Sequence, residues 1–303
     1  MKIGLNGGAA SADRMIEQAQ KAEADGFHAL WYPSAVAGDP LVAMALAGRA
    51  TARIELGTAV LQTYTSHPYL QASRVAATAE AMGRDGFVLG IGPSHAPVIE
   101  GRFGIDYSHA GRHTEEYVRI VTALLHGEAV DVAGDDITLR GDVTTPATGR
   151  TVPVLVAALA PRLLRVAGEV ADGTILWMGN ARAVDEHVVP RITKAAADAG
   201  RPVPRIVAGL PVAVCDDEAE GREAAAKQFA MYGTLPNYQR ILELGGAASP
   251  ADAAIVGDEA SVAAQLQALV DAGATDIWAA IFPVGDDAGA SRRRTRALLG
   301  ELV

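Results

Sequence analysis

The stretch Gly86-Phe-Val-Leu-Gly-Ile-Gly-Pro-Ser-His95 decides the fold. Its first half is apolar and of strand length, and glycine, proline and serine then lead into a loop that ends in a histidine. A strand without polar alternation is typical of a parallel sheet, because helices cover its outer face and side chains fill its inner face. Seven similar runs occur along the chain, and the eight predicted strands span residues 2–6, 28–32, 54–61, 86–91, 154–158, 173–177, 205–214 and 276–282.

Amphipathic helical stretches separate these strands, and the alternation predicts βα units around a parallel sheet. Hydroxyl or carboxylate side chains mark the starts of four helices, at Ser11, Asp39, residues 216–218 and Asp258. Eight successive units in 303 residues favour closure into a (β/α)₈ TIM barrel. An open, doubly wound α/β sheet is the structural alternative.

Three segments exceed the minimal barrel, and they span residues 93–109, 127–153 and 231–257. The middle segment predicts a β-hairpin, with strands at 130–132 and 137–139. Such insertions usually carry function, so we expect the first and third to shape a substrate pocket. No internal repeat or low-complexity linker interrupts the chain, which predicts a single domain over residues 1–303.

Composition narrows the classes of partner. The net charge of −10 disfavours nucleic-acid binding, for which basic side chains supply most of the affinity. Neither the start of the chain nor its apolar runs match a signal peptide or a membrane span of about 18 residues. The one cysteine, Cys215, cannot pair within the chain or build a multi-cysteine metal site. We therefore expect a cytoplasmic protein that binds neither nucleic acid nor membrane.

The histidine pattern gives little support for a metal site. His109 and His113 are four residues apart and would share a helix face, but no third ligand accompanies them. We therefore predict that the protein binds no metal.

Catalytic groups of such barrels collect at the carboxyl ends of the strands. Seven side chains would lie there: Ser34, Thr63, Tyr64, His67, His95, Arg162 and Trp177. The two glycines before His95 would let a planar ligand approach the backbone, and a neutral imidazole can exchange a proton near pH 7. The alternative is that His95 only satisfies a loop hydrogen bond.

In two further loops the sequence leaves the role of the candidate residues open. His67 precedes Pro68, which is expected to start a helix, so a capping or packing role for His67 competes with ligand contact. The fifth strand leads through Leu159 and Ala160 to Arg162, where a helix begins. Backbone N–H groups at a helix start can hold a phosphate, although alanine-rich turns are common and an arginine there is often only solvated.

A set of motifs in this order and spacing resembles the bacterial luciferase-like monooxygenase superfamily. Within it, the chain resembles the actinobacterial oxidoreductases that depend on the deazaflavin coenzyme F-420. The resemblance spans nearly the whole chain and rests on residues 26–31, 57–60, 67–68, 86–92, 112–117, 167–173, 209–214 and 232–236.

The resemblance implies a TIM barrel that binds the deazaflavin ring at the carboxyl ends of its strands. The ring would rest on a bulge with a non-prolyl cis peptide, which would fall at Ala59-Val60. Backbone amides around Leu159, Ala160 and Arg162 would hold the cofactor phosphate. Ser34, Gly92 and Trp177 are further predicted cofactor-binding residues, and the resemblance also implies a homodimer.

This chain departs from its relatives at two places. Many relatives carry an acidic residue and a histidine after the second strand, where this chain has Ser34 and Ala35, and some carry glutamate where His95 stands. The proton donor is therefore open, and we predict His95 as the catalytic residue, with His67 and Tyr64 as alternatives.

The predicted activity is hydride transfer between the C5 atom of F-420 and a C=C, C=N or C=O bond of a small organic substrate. In that case His95 would supply a proton, and the protein would hold the reacting atoms close together. One alternative is an FMN-dependent monooxygenase of the same fold. The other is a non-catalytic protein that binds and carries the deazaflavin.

Overall fold

A computed structural model describes residues 1–34, 39–145 and 149–303. Ala35 lies outside these described residues. The strands are β1 (Ile3–Asn6), β2 (Ala29–Tyr32), β3 (Glu55–Thr58), β4 (Leu61–Gln62), β5 (Phe87–Gly92), β6 (Val130–Ala133), β7 (Thr138–Val143), β8 (Val154–Val156), β9 (Gly173–Trp177), β10 (Arg205–Val214), β11 (Ile255–Gly257) and β12 (Asp276–Ile281).

Eight parallel strands of the described chain close into a barrel in the order β1, β2, β3, β5, β8, β9, β10 and β12. Closure is complete because β12 pairs again with β1, with Ile3 opposite Ile277. The predicted (β/α)₈ barrel is therefore confirmed, and the open sheet is excluded.

The strand predictions were wrong in two details. The run predicted over residues 54–61 divides into β3 and β4, because the peptide between Ala59 and Val60 is cis and interrupts the pairing. The cis peptide itself stands where the resemblance placed it. In addition, β11 pairs in parallel with β10 from within the third insertion. Its three residues are too few to show a periodicity in the sequence.

The helices are α1 (Ala12–Ala24), α2 (Pro40–Arg49), α3 (Pro68–Met82), α4 (Ala96–Phe103), α5 (Ala110–Leu125), α6 (Pro161–Val170), α7 (Ala181–Ala183), α8 (Val189–Asp198), α9 (Glu218–Phe229), α10 (Pro236–Leu244), α11 (Pro250–Ala253), α12 (Glu259–Asp271) and α13 (Ala288–Glu301). A π-helical turn, Val184–Val188, joins α7 to α8, and a 3₁₀ turn, Ala230–Thr234, follows α9. Side chains cap the four helix starts predicted from the sequence: Ser11, Asp39, Asp217 and Asp258 each accept a backbone N–H of the first turn.

The insertions have structures of their own. The middle one contains the predicted hairpin, since β6 and β7 pair antiparallel; its residues 146–148 lie outside the described parts of the chain. The first insertion forms α4, and the third forms α10, α11 and β11. No helix in the described ranges is both long and apolar enough to cross a membrane.

The amino end of the barrel is closed by an ionic cluster. Arg205, the first residue of β10, lies 2.6 Å from carboxylate oxygens of both Glu55 and Asp276, and His28 lies 3.3 Å from Glu55. Burial opposes ionisation of Glu55, but hydrogen bonds from His28 and Arg205 outweigh it and hold the pKa of Glu55 at about 2. The Arg205 guanidinium also lies over the Trp31 ring at 5.6 Å, so the cluster covers the amino end of the barrel interior.

Candidate active site

A cavity of about 650 Å³ opens at the carboxyl end of the barrel. The last residues of five strands line it: Asn6, Gln62, Gly92, Trp177 and Ile281. The first and third insertions complete its walls, as predicted, through residues 93–95, 98, 107, 231, 232, 237 and 238. Its volume is in the range of pockets that hold cofactors and small molecules.

One wall of the cavity is a shelf of backbone and small side chains. It consists of Ala59 and Val60, which are joined by the cis peptide, together with Gly92. A Cβ atom on Gly92 would lie 2.7 Å from the Cβ of Ala157 and 3.2 Å from Val60 Cγ2, so only glycine leaves this surface intact. Thr58 Oγ1 donates to the carbonyl of Gly90 at 2.7 Å and fixes the strand behind the shelf. A flat ring can therefore lie against this wall.

His95 lies at the start of α4 and lines the cavity. Its side chain makes no capping hydrogen bond, and its ring is 5.5 Å from that of Tyr238, which shields one side. Tyr107 Oη donates to the carbonyl of Ser94 at 2.7 Å and holds the loop in place. Burial lowers the pKa of His95 below its ordinary value, so the neutral imidazole predominates at pH 7.

The start of α6 provides a place for an anion. Ala160 is the N-cap residue and offers no side-chain hydrogen bond, so the N–H groups of Arg162 and Leu163 remain open toward the cavity that these residues line. The Arg162 side chain is engaged elsewhere, since its Nε donates to Glu115 at 2.9 Å. The buried His187 lies 2.8 Å from the carbonyl of Leu159 through Nε2 and fixes the loop from behind.

A second part of the cavity lining is an aromatic wall. The ring centroid of Trp177 is 4.9 Å from Trp278, 5.8 Å from Tyr232 and 6.1 Å from Phe229. The Trp177 indole N–H is buried and meets no acceptor among the described residues. A ligand that stacks on this wall could therefore gain contact area with the exposed faces of these rings.

Two of the predicted catalytic residues do not reach the cavity. His67 caps α3, as its Nδ1 accepts the Tyr69 N–H at 3.3 Å and its Nε2 is 3.2 Å from the Thr138 carbonyl. Tyr64 stacks on His113 at 4.0 Å, and burial, helped by Asp136, raises the pKa of Tyr64 to about 12. Neither residue lines the cavity, whereas the remaining predicted site residues do: Ser34, Ala59, Val60, Gly92, His95, Leu159, Ala160, Arg162 and Trp177.

Two groups of side chains that resemble metal ligands are already engaged by other protein groups. His113 is engaged with Tyr64 and lies 3.4 Å from the Thr63 carbonyl through Nε2. His28, Glu55 and Asp276 lie close enough together to hold a cation, but Arg205 already contacts both carboxylates and the group is at the amino end of the barrel. The chemistry of the cavity therefore depends on side chains other than His113 and the His28, Glu55 and Asp276 cluster.

Sequence reasoning missed several lining residues. Asn6 and Trp278 belong to the first and last barrel strands, and Tyr107 and Tyr238 belong to the insertions. A polar residue that ends an apolar strand, as Asn6 does, was a usable signal. The two tyrosines gave none, because their positions depend on how irregular segments fold over the barrel.

Residues 2–276 match the family model of the luciferase-like monooxygenases. The closed barrel and the cavity at its carboxyl end are those of an oxidoreductase of this kind, and the chain belongs to the luciferase-like monooxygenase family.

Among its relatives, the 5,10-methylenetetrahydromethanopterin reductase of Methanolobus tindarius is 27% identical over 246 residues, 80% of this chain and 74% of the relative. The solved F-420-dependent tetrahydromethanopterin reductase of Methanopyrus kandleri is similar with a TM-score of 0.78 and 22% identity, over 100% of this chain and 98% of that one. An FMN complex, the oxygenating constituent of 3,6-diketocamphane monooxygenase of Pseudomonas putida, gives a TM-score of 0.72 and 17% identity over 99% and 97%. The similarity to these two solved structures shows that this chain shares their fold.

Proposed function

We propose that this protein is an F-420-dependent oxidoreductase that transfers hydride between the deazaflavin C5 and a C=C, C=N or C=O bond of a small organic substrate. One observation carries the proposal: a flat shelf at Ala59, Val60 and Gly92 and the uncapped start of α6 belong to the same cavity. A planar ring with a phosphate-bearing side chain requires both features. The sequence relationship to a putative coenzyme F-420-dependent oxidoreductase of Mycobacterium tuberculosis supports the choice of cofactor.

The residues present fit such a cofactor. Ala59, Val60 and Gly92 would support the ring, and the N–H groups of Arg162 and Leu163 would bind the phosphate. When bound, the deazaflavin supplies the hydride-transfer chemistry at its C5 atom. The protein contributes orientation, because reacting atoms held about 3 to 3.5 Å apart react far faster than free ones.

His95 would transfer the proton that accompanies hydride transfer. Its ring lines the cavity without a hydrogen-bond partner from its own helix, so its nitrogens are available to a substrate. Its lowered pKa allows the ring to release a proton readily once it has been protonated. The aromatic wall, with Trp177 and Tyr232, would cover one side of the reacting atoms with apolar surface.

Titration with the two candidate cofactors tests the proposal directly. We expect the purified protein to bind F-420 with a dissociation constant in or below the micromolar range, seen as quenching of cofactor fluorescence, and to bind FMN more weakly. Tight FMN binding without F-420 binding would support an FMN monooxygenase instead. If reduced F-420 bound to the protein is oxidised by enones, quinones or imines no faster than the free cofactor, the protein is a carrier.

The anion site predicts an unusual pair of effects for Ala160→Asp. The new carboxylate should cap α6 and raise stability by about 1 kcal/mol. It should also weaken F-420 binding by about 10- to 100-fold, because it takes the open N–H groups and repels phosphate. Thermal melts and fluorescence titration measure the two effects.

Ala160→Asn is the matched control, since it caps the helix without a charge. It should stabilise α6 to a similar degree and should weaken F-420 binding less than aspartate does. A stabilised Ala160→Asp protein with unchanged F-420 affinity would show that the phosphate binds elsewhere.

A further inference from the structure

The first strand ends in an asparagine whose side chain has one defined orientation. Asn6 Oδ1 accepts the Trp278 indole N–H at 2.5 Å. The indole N–H can only donate, so the amide oxygen must face it, and the usual ambiguity between the amide oxygen and nitrogen is removed. Both hydrogens of Asn6 Nδ2 therefore point away from Trp278.

These hydrogens have no acceptor among the residues that the structure describes, and Asn6 lines the cavity. The Trp278 contact also fixes the side chain, so a ligand that accepts from Nδ2 need not order it. Asn6 thus presents a preorganised neutral donor to the cavity.

The side chains around this donor favour ligands of a particular shape and charge. Trp278 and Trp177, 4.9 Å apart, form the aromatic wall next to Asn6. No Asp or Glu of the described chain lines the cavity, although the whole chain has a net charge of −10. The cation that lines it, Arg162, is ion-paired with Glu115 at 2.9 Å. A flat, uncharged molecule with an acceptor oxygen suits this region better than a charged or sugar-like one.

We propose that Asn6 determines substrate specificity, by donating an Nδ2 hydrogen bond to the carbonyl oxygen of a flat, uncharged conjugated carbonyl compound, an enone or quinone, that stacks on Trp177 and Trp278. This inference rests on the proposed function. The substrate gains one hydride at a conjugated carbon, an electron pair shifts onto the carbonyl oxygen, and a proton completes the two-electron reduction while the reduced F-420 is oxidised. The Asn6 hydrogen bond strengthens as the oxygen gains negative charge, so it favours the transition state.

Asn6→Asp tests the inference, because a carboxylate still accepts from Trp278 but cannot donate. The probes are 1,4-naphthoquinone and naphthalene, which share a flat body and differ in the carbonyl oxygens. Ligand-observed NMR titration measures both, with the cofactor-free protein and with protein saturated with oxidised F-420. The wild type should prefer the quinone by about tenfold, and Asn6→Asp should lose that preference while it binds naphthalene within about twofold of wild type.

Gln228→Glu is the control for charge, since it adds a carboxylate to the same cavity from α9 and leaves the Asn6–Trp278 hydrogen bond unchanged, and it should keep the quinone preference. Trp278→Phe removes the N–H that orients the amide and should reduce the preference without removing the donor. The inference is overturned if Asn6→Asp keeps the preference, or if Gln228→Glu loses it equally. Failure of F-420 to bind would overturn the proposed function alone, because the cofactor-free titration still reports on Asn6.

Discussion

Replacement of His95 by glutamine is expected to lower kcat for substrate reduction by about 10² to 10⁴, the usual contribution of a positioned proton donor. Glutamine keeps the polarity and much of the size of the ring, so cofactor affinity should change little. The His95 ring lines the cavity and makes no hydrogen bond to its own helix, which leaves its nitrogens available to a substrate. Steady-state kinetics with reduced F-420, together with a cofactor titration, would separate the two effects.

The pH profile gives a second measurement. Burial lowers the pKa of His95 below 6.5, and the donor is the protonated ring. The kcat for reduction should therefore fall as pH rises through that pKa, and the dependence should disappear in His95→Gln. His113→Gln is a suitable control, because His113 stacks on Tyr64 outside the cavity and should cost less than about tenfold. Equal losses in both variants would remove His95 from the mechanism.

The largest expected effect on stability comes from Arg205→Met at the amino end of the barrel. Methionine keeps most of the side-chain volume but leaves Glu55 and the buried Asp276 without the cation that lies 2.6 Å from each. Loss of one partner of a buried ion pair costs about 3 to 5 kcal/mol, because the remaining charges stay desolvated. For a chain of 303 residues, with an unfolding entropy of about 2.1 cal/mol/K per residue, that corresponds to a fall in Tm of roughly 5 to 8 °C, measurable by thermal unfolding.

Acid unfolding checks the same cluster. The pKa of Glu55 is held at about 2 in the folded protein, below its ordinary value of 4.5. Its ionised form therefore stabilises the fold above pH 4.5, and this stabilisation is lost as pH falls toward 2. Arg205→Met should show a weaker loss over that range.

Arg140→Met is the control, since Arg140 and Asp131 form an exposed pair 3.4 Å apart that should contribute less than about 1 kcal/mol. A Tm for Arg205→Met as high as that of this control would mean that the cluster does not stabilise the barrel.

The sequence predicted the barrel because each strand and helix has a local pattern. The apolar runs fixed the eight barrel strands to within a few residues, and capping side chains such as Asp39 and Asp258 marked helix starts. His95 and Arg162 could be placed at the cavity because strand ends share one side of a barrel. The position of the cis peptide at Ala59-Val60 came from family resemblance, since no local rule identifies it.

His67 and Tyr64 illustrate where that reasoning fails. Both follow a barrel strand, as site residues do, yet one caps α3 and the other stacks on His113. Position in the sequence tells which end of the barrel a residue occupies, but not the direction in which its side chain leaves a loop.

By itself, then, the sequence determined the order of strands and helices, their number around the barrel and the end at which the cavity opens, since these follow from local periodicity and chain direction. Only the tertiary structure decided which side chains meet. The Asn6–Trp278 pair joins residues 272 positions apart, and the Arg205–Glu55 pair joins residues 150 apart. Such contacts depend on barrel closure and on packing of the insertions, and both are set by the whole chain at once.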